Sequence, residues 1–303
     1  MIDLDLSSPD EVCRILDAGA EANRDAACRR GSIDVIDAPG KLIATGDLHD
    51  NPLHFRAVVE AAGMLDNPDN DDANKDPAHL TLHEIIHAEQ LMQGMDFSFR
   101  ALTRVAWLKS RYPERVHALL ANHELSQVCG AGIIKDGVRV VEAFNEGVEY
   151  AFGSDADRVN EALGRFIWSM PLALRCQTPG GDILCAHSLP GPAMMSRFDP
   201  TLLERELEDF DYAPRQGSAY LMVWGRGYDH EQLEDLTERW GVTLFLLGHE
   251  KAPNGVQIVE PNAVVLNSDH QMGVYLPIDL SDPPRTASEA AMGAVSIAER
   301  LMG

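Results

Sequence analysis

Five short apolar segments of the chain each end in a cluster of polar residues, and this regularity constrains the fold more than any other feature. The run GVTLFLLGH, for example, is apolar and bounded by glycine, which is typical of a buried strand. In open α/β sheets, ligands bind just beyond the carboxyl ends of the strands, so polar residues at successive strand ends converge on one locus. The five segments are LIATGDLHDN (42–51), LTLHEIIH (80–87), HALLANHE (117–124), DILCAHS (182–188) and LFLLGHE (244–250).

The apolar segments also predict what must cover them. Each strand is too apolar for a sheet that faces water on one side, so helices must lie on the sheet faces, and we predict an α/β fold. Ser8 and Glu11 form a capping-box pattern around Pro9, which predicts an N-terminal helix over about 9–29. We expect one domain over residues 1–280, followed by a linker and a helix over 281–303.

The charge balance of the chain limits its partners. There are 25 Lys and Arg residues against 48 Asp and Glu, a net charge of −23, which argues against binding nucleic acid or anionic membranes through the general surface. A phosphate group would also be repelled unless a metal or an arginine were present locally. Five scattered cysteines without a C-x-x-C pair indicate reduced thiols in a cytoplasmic protein. We expect no leader peptide and no membrane span.

The polar residues at the strand ends are of the types that bind metal. A site for two divalent ions needs oxygen and imidazole ligands, a carboxylate to bridge them, and open positions for water and substrate. This mixed set suits Mn, Fe or Zn better than Ca or Mg. The candidates are Asp47, His49, Glu84, Asn122, His187 and His249.

The same blocks resemble those of a known family. GDLHDN is similar to its Gly-Asp-x-His-Gly block, ANHE to its Gly-Asn-His-Glu block, CAHS to its Val-His-Gly-Gly block and LLGHE to its late histidine block. Occurring in this order and at comparable spacings over residues 41–279, they resemble the calcineurin-like metallophosphoesterases, most closely their phosphoprotein-phosphatase branch. The resemblance implies a metallophosphoesterase-type sandwich of two mixed β-sheets flanked by helices, with two metals about 3.5–4 Å apart. The implied ligands are Asp47, His49 and Glu84 for one metal, and Glu84, Asn122, His187 and His249 for the other.

The chain departs from the family in the second block, where HEIIHAE (83–89) stands in place of Gly-Asp-x-x-Asp-Arg-Gly. Glu84 falls on the metal-bridging aspartate, His87 on the second aspartate and Ala88 on the arginine. A glutamate can bridge two metals, but its extra methylene moves the carboxylate outward. Losing the arginine removes a bidentate phosphate contact.

The resemblance implies a dinuclear-metal-dependent phosphoesterase that hydrolyses a phosphomonoester, as protein serine/threonine phosphatases do. A metal-bridging hydroxide would attack phosphorus, and His123 would protonate the leaving oxygen as general acid. His87 would hold His123 only while neutral, which predicts a loss of activity at mildly acid pH. Arg226 would bind the phosphoryl group of the substrate, which is expected to be a phosphorylated protein or small molecule.

Two alternatives remain open at this point. His83, Glu84 and His87 match the His-Glu-x-x-His pattern of zinc peptidases, which requires a helix. The preceding HLTL indicates a strand instead, and the extended pattern would need glycine and histidine where Gln90 and Gln93 stand. The other alternative is a non-catalytic metal-binding module, in which the altered second block has abolished the chemistry.

Overall fold

The computed structural model describes residues 4–64, 76–130, 132–135 and 137–302. Both helices and strands are distributed along these residues, as expected for an α/β fold. The helices are α1 (Pro9–Asp25), α2 (Pro52–Ala61), α3 (Phe99–Arg111), α4 (Asn122–Cys129), α5 (Val140–Phe152), α6 (Ala156–Trp168), α7 (Ser218–Val223), α8 (His230–Trp240), α9 (Ala287–Met292) and α10 (Ile297–Met302). Among the described residues, no helix combines the length and the apolar composition that crossing a membrane requires.

Each of the five apolar segments contains a strand, as predicted. The strands along the described residues are β1 (Arg29–Arg30), β2 (Ile33–Asp37), β3 (Lys41–Thr45), β4 (His79–Leu82), β5 (Val116–Ala118), β6 (Ile134–Lys135), β7 (Val138–Arg139), β8 (Ala173–Gln177), β9 (Asp182–Ala186), β10 (Val242–Leu247), β11 (Val256–Val259), β12 (Ala263–Leu266), β13 (Val274–Asp279) and β14 (Val295–Ser296). The five apolar segments contain β3, β4, β5, β9 and β10.

The strands form two large mixed sheets and one small hairpin. The larger sheet has the order β1-β2-β8-β9-β10-β12-β11, the second has the order β14-β13-β3-β4-β5, and β6 pairs with β7. Within them, β3, β4 and β5 are parallel neighbours, and so are β9, β10 and β12. The predicted sandwich of two mixed sheets flanked by helices is therefore confirmed.

Strand β10 shows why these segments are apolar throughout. Leu244 and Leu246 belong to a core made chiefly of strand residues from both sheets. Phe245 and Leu247 belong to the other core, which includes residues of the flanking helices. Because successive side chains of a strand point to opposite faces, a strand buried on both faces needs an apolar residue at nearly every position.

The two sheets meet at Asp47, directly after β3. This residue forms parallel bridges with His83, which follows β4, and with Asn267, which follows β12 of the other sheet. The preceding residue must be glycine, because a Cβ atom on Gly46 would lie 2.0 Å from the carbonyl oxygen of Leu266. The junction brings the carboxyl ends of strands from both sheets to the same edge of the sandwich.

The ends of the chain differ in detail from the predictions. Helix α1 begins as predicted, with the Ser8 side chain accepting from the Glu11 backbone, but it ends at Asp25 rather than near 29 because Ala26 adopts an extended conformation. The C-terminal segment holds two short helices, since α9 ends at Met292 and β14 intervenes. Strand β14 pairs with β13, so this segment packs against the second sheet. The domain boundary at 280 stays a prediction.

A buried ionic network joins the two sheets away from their carboxyl edge. Asp34 in β2 accepts from Nδ1 of His117 in β5 at 2.7 Å and from Nε of Arg29 at 2.9 Å, while Nζ of Lys109 lies 4.0 Å away. Burial by itself would raise the pKa of Asp34, but the hydrogen bond and charge of His117, with the charges of Lys109 and Arg29, lower it to about 2. The ionised carboxylate therefore stabilises the folded chain.

We expect Asp34→Asn to lower the free energy of unfolding at pH 7 by about 3 kcal/mol, because it leaves buried cations without their partner. In the wild type, ionisation of Asp34 should contribute about 2 kcal/mol. Because its folded pKa is depressed, this contribution is present above the ordinary value of 3.8 and is lost as the pH falls towards 2. Urea denaturation measures both effects. Asp37→Asn, an exposed change in the same strand, is the control, and an equal loss there would contradict the assignment.

Candidate metal centre

The structure brings all the candidate residues to one buried locus at the carboxyl edge of the two sheets. Each of them follows the strand that the sequence indicated, with His87 and His123 beside them. All are at most 7% exposed. Asp47 and His49 follow β3, Glu84 and His87 follow β4, Asn122 and His123 begin α4 after β5, His187 follows β9, and His249 follows β10.

Four side chains converge in a way that suits a metal ion. Nε2 of His187 lies 2.6 Å from Oδ1 of Asn122, 2.9 Å from Oε2 of Glu84 and 3.0 Å from Nδ1 of His249. Donor atoms bonded to one ion at about 2.0–2.2 Å lie roughly 3.0–3.4 Å apart. Oε2 of Glu84 is buried and makes no hydrogen bond. The set therefore fits a divalent cation.

Glu84 also belongs to a second group of donors. Its Oε1 lies 2.9 Å from Nε2 of His49 and 3.7 Å from Nε2 of His123. Together with the first group, this makes Glu84 the carboxylate shared between two possible cation positions. Its role as a bridging ligand stays a prediction.

Asp47 is placed differently from the other carboxylate. Both of its oxygens accept from the backbone N–H of His249 at 3.0 Å, and Oδ1 lies 3.4 Å from Nδ1 of His83 and of His187. It therefore groups with those two histidines. The predicted set of Asp47, His49 and Glu84 is thus brought to one locus but not into one tight cluster.

The locus attracts positive charge. Burial by itself would lower the pKa of His49 and of His187, but the charge of Glu84 raises both to about 9. Two carboxylates thus lie buried with protons on neighbouring imidazoles as their counter-charges. A divalent cation would replace such a proton, so metal binding is expected to release protons.

The backbone is strained where it presents these side chains. His49, Glu84, His87 and His249 have φ values of 41°, 48°, 62° and 66°, a region that residues other than glycine rarely adopt. Such strain persists only where the surroundings determine it, and it is concentrated at functional sites. It also shows that residues 83–87 are not helical, so His83 and His87 do not share a helical face. The structure therefore does not favour the zinc-peptidase alternative.

His83 is a site residue to which the sequence analysis gave no role beyond the peptidase pattern. Its Nε2 donates to the carbonyl oxygen of Thr45 at 2.8 Å, which leaves Nδ1 as an acceptor 3.2 Å from Nδ1 of His187. His187 can then carry a proton on Nδ1 and offer Nε2 to a metal. The feature of the sequence that could have indicated this role is the position of His83 directly after β4 and next to Glu84.

Glu124, the last residue of ANHE, was also missed. It is fully buried, and its Oε1 accepts from the backbone N–H groups of Ile85 at 2.7 Å and Ile86 at 3.1 Å. These bonds hold the loop that follows β4, so Glu124 positions Glu84 without facing the cavity.

His123 lies beside Glu84 and contacts His87, with 2.9 Å between their Nδ1 atoms. Burial lowers the pKa of His87 to about 4 and that of His123 to about 3. His87 is therefore neutral at mildly acid pH, and its protonation is expected near pH 4. This corrects the expected fall of activity at mildly acid pH, which took no account of its burial.

Five of the six candidate ligands line a cavity of about 590 Å³, and its lining also includes Lys135, Arg226 and Lys251. Arg226 donates from Nη1 to the carbonyl oxygen of His249 at 2.6 Å. Nζ of Lys135, in β6, lies 3.4 Å from Nε2 of His49 and pairs with Glu89. Arg226 was expected from the sequence, whereas Lys135, which is distant along the chain, was not.

A separate buried group, Cys28, Asp34 and His117, also has metal-ligand residue types. Its bonds are already satisfied, because His117 donates to Asp34, and Lys109 places a positive charge nearby. Burial raises the pKa of Cys28 to about 12, so its thiolate is not available. This group is part of the ionic network between the sheets.

Comparison with protein-family models and with curated proteins finds no match. Comparison with solved structures does. A protein serine/threonine phosphatase from Saccharomyces cerevisiae superposes with a TM-score of 0.64 at 15% identity, over 90% of this chain and 83% of the other. The chain has the metallophosphoesterase fold. A cold-active protein-tyrosine phosphatase from a Shewanella species also matches it, with a TM-score of 0.55 at 13% identity, over 81% and 77% of the two chains.

We expect the purified protein to bind Mn²⁺ or Zn²⁺ and Glu84→Gln to lose this binding, because both groups of donors share that carboxylate. At a metal concentration one hundred times Kd, the wild type should gain about 3 kcal/mol of stability. Elemental analysis and thermal unfolding measure the two effects. Glu149→Gln, an exposed change on α5, is the matched control. Equal metal content in both variants would refute the shared role of Glu84.

Proposed function

We propose that this chain is a metal-dependent phosphoesterase that hydrolyses a phosphomonoester, with Mn, Fe or Zn as its metals. The observation that carries the proposal is that Glu84 is shared between two groups of buried donors in a cavity that also holds His123 and Arg226. Oxygen and imidazole donors suit such ions. The likeness of the fold to that of a solved phosphatase also supports the proposal. The free, scattered cysteines fit a cytoplasmic protein.

The cavity can attract an anion in spite of the net charge of −23. Bound divalent metals would supply Lewis acidity towards the phosphoryl oxygens and lower the pKa of water. Arg226 is tethered to the backbone of His249 and presents its guanidinium at the cavity, where it would orient the phosphoryl group. Lys135 would supply a second cation, on the side where Ala88 stands in place of the family's arginine.

His123 would complete the reaction by giving the proton on Nε2 to the leaving oxygen as the P–O bond breaks. Its Nε2 faces Glu84 and the cavity, while its Nδ1 is held by His87. General acid catalysis of this kind contributes about 10²–10⁴-fold to the rate. Because burial lowers the pKa of His123 to about 3, this proton would come from a substrate that binds as its monoanion, and it would depart with the leaving group.

We expect His123→Asn to retain its metal and to lose about a hundredfold in kcat on an aryl phosphate, because the leaving oxygen loses its proton donor. Elemental analysis should accompany the rate measurement, so that a loss of metal is not taken for a loss of the acid. An unchanged kcat with full metal content would remove His123 from the mechanism.

We expect Arg226→Met and Lys135→Met each to raise KM for an aryl phosphate about tenfold, because each removes a charged contact to the phosphoryl group. Metal content should not change. Lys41→Met, an exposed change at the opposite end of β3, removes the same charge from the chain and serves as control. A similar rise of KM in the control would assign the effect to net charge rather than to the site.

A screen of phosphomonoesters with several metals would test the function as a whole. Hydrolysis that depends on added metal and disappears in Glu84→Gln is the expected result. Cleavage of casein, without phosphatase activity, would instead support a peptidase. Stoichiometric metal binding without either activity would support a non-catalytic module. The substrate class, a phosphoprotein or a small phosphorylated molecule, would follow from the relative kcat/KM values.

A further inference from the structure

His123 lies at one end of a hydrogen-bonded chain that runs from the cavity to the protein surface. Its Nδ1 is 2.9 Å from Nδ1 of His87, and Nε2 of His87 is 3.1 Å from Oε1 of Gln127. Nε2 of Gln127 in turn donates to Oδ1 of Asn145 at 2.7 Å. Asn145 is exposed on α5, whereas both histidines are buried.

The side-chain amide of Gln127, in the middle of this series of hydrogen bonds, determines which ring nitrogens of His87 and His123 carry protons. Oε1 of Gln127 can only accept, so Nε2 of His87 must donate to it. A neutral imidazole has one N–H, so Nδ1 of His87 is an acceptor, and Nδ1 of His123 must be the donor between the two rings. Nε2 of His123 is then the nitrogen that faces Glu84 and the cavity, 3.7 Å from Oε1.

The geometry holds these groups in place. His123 and Gln127 are four residues apart on α4, so their side chains lie on one face of the helix and both reach the same ring. That ring belongs to His87, whose backbone N–H donates to Oγ of Ser98 at 3.0 Å. The ring of Phe144 packs edge-on against it, with centroids 5.9 Å apart.

We propose that Gln127, held by Asn145, is a positioning residue that selects the tautomer of His87 and thereby directs Nε2 of His123 at the leaving oxygen. A neutral amide and imidazole pair thus takes the orienting role at the position where the resemblance places an aspartate. When Nε2 of His123 passes the proton of a monoanionic substrate to the leaving oxygen, His123 is neutral again and Nδ1 still donates to His87. No proton has to pass along the chain. The effect on catalysis rests on the proposed function, whereas the tautomer itself does not.

The kinetic test compares two substitutions that differ in one acceptor atom. Gln127→Met keeps the side-chain length but removes the oxygen, and Gln127→Glu keeps the oxygen. With phenyl phosphate, whose leaving group needs a proton, Gln127→Met should lose about tenfold in kcat with KM unchanged. With 2,4-dinitrophenyl phosphate, whose leaving group needs none, it should stay within about twofold of the wild type. Gln127→Glu should restore the rate on phenyl phosphate.

Equal losses on the two substrates would indicate a merely structural role and overturn the proposal, as would an unchanged rate of Gln127→Met on phenyl phosphate. Glu149→Gln, an exposed change elsewhere on α5, should behave as the wild type. Oδ1 of Asn145 is the acceptor for the amide of Gln127. Asn145→Leu removes it and should show the same dependence on the leaving group, to a smaller extent.

A second measurement does not depend on any activity. Long-range proton–nitrogen correlation spectra of the histidine rings in the metal-free wild type report which nitrogen carries the proton, and His87→Asn identifies the signals of that ring. We expect His87 to be protonated on Nε2 in the wild type and to lose this preference in Gln127→Met. A wild-type ring protonated on Nδ1 would overturn the proposal. If no phosphate ester is hydrolysed, the proposed function fails while the spectrum still decides the tautomer.

Discussion

The close approach of the two sheets at Asp47 is the constraint on which the site depends. Gly46 lets the chain after β3 reach the carbonyl of Leu266, and Gly248 lets the chain after β10 reach the carboxylate, since a Cβ atom there would lie 2.4 Å from Oδ1 of Asp47. The backbone of His249 then donates to both carboxylate oxygens. Without this contact the histidines of one sheet would not face the carboxylates of the other.

Much of this arrangement could be predicted from sequence because it depends on local patterns. The apolar runs that end in polar residues predicted the five strands, since a strand buried on both faces consists almost entirely of apolar residues. Parallel neighbours have their carboxyl ends at one edge, so the meeting of Asp47 with Glu84 in one sheet, and of His187 with His249 in the other, could be predicted from the strand pattern. Glu84 reaches a central position despite its longer side chain, with its backbone in the left-handed region.

The remaining site residues could not be predicted because their roles come from contacts between distant segments. Lys135 reaches His49 from a hairpin 86 residues away along the chain. Glu124 and Gln127 act on the loop after β4 from the helix after β5, through bonds that no spacing rule encodes. The end of α1 was placed too late for a simpler reason, since Ala26 is a good helix former and only its tertiary setting makes it extended.

The contact between Asp47 and His249 joins residues separated by 202 positions. The ribosome must therefore have made the whole segment from Asp47 to His249 before the two halves of the centre can meet. Contacts of such separation form late, after the long intervening segment has collapsed. The donors of the two sheets can therefore act together only after this contact has formed, and a metal ion that needs both would bind to the folded sandwich rather than to the nascent chain.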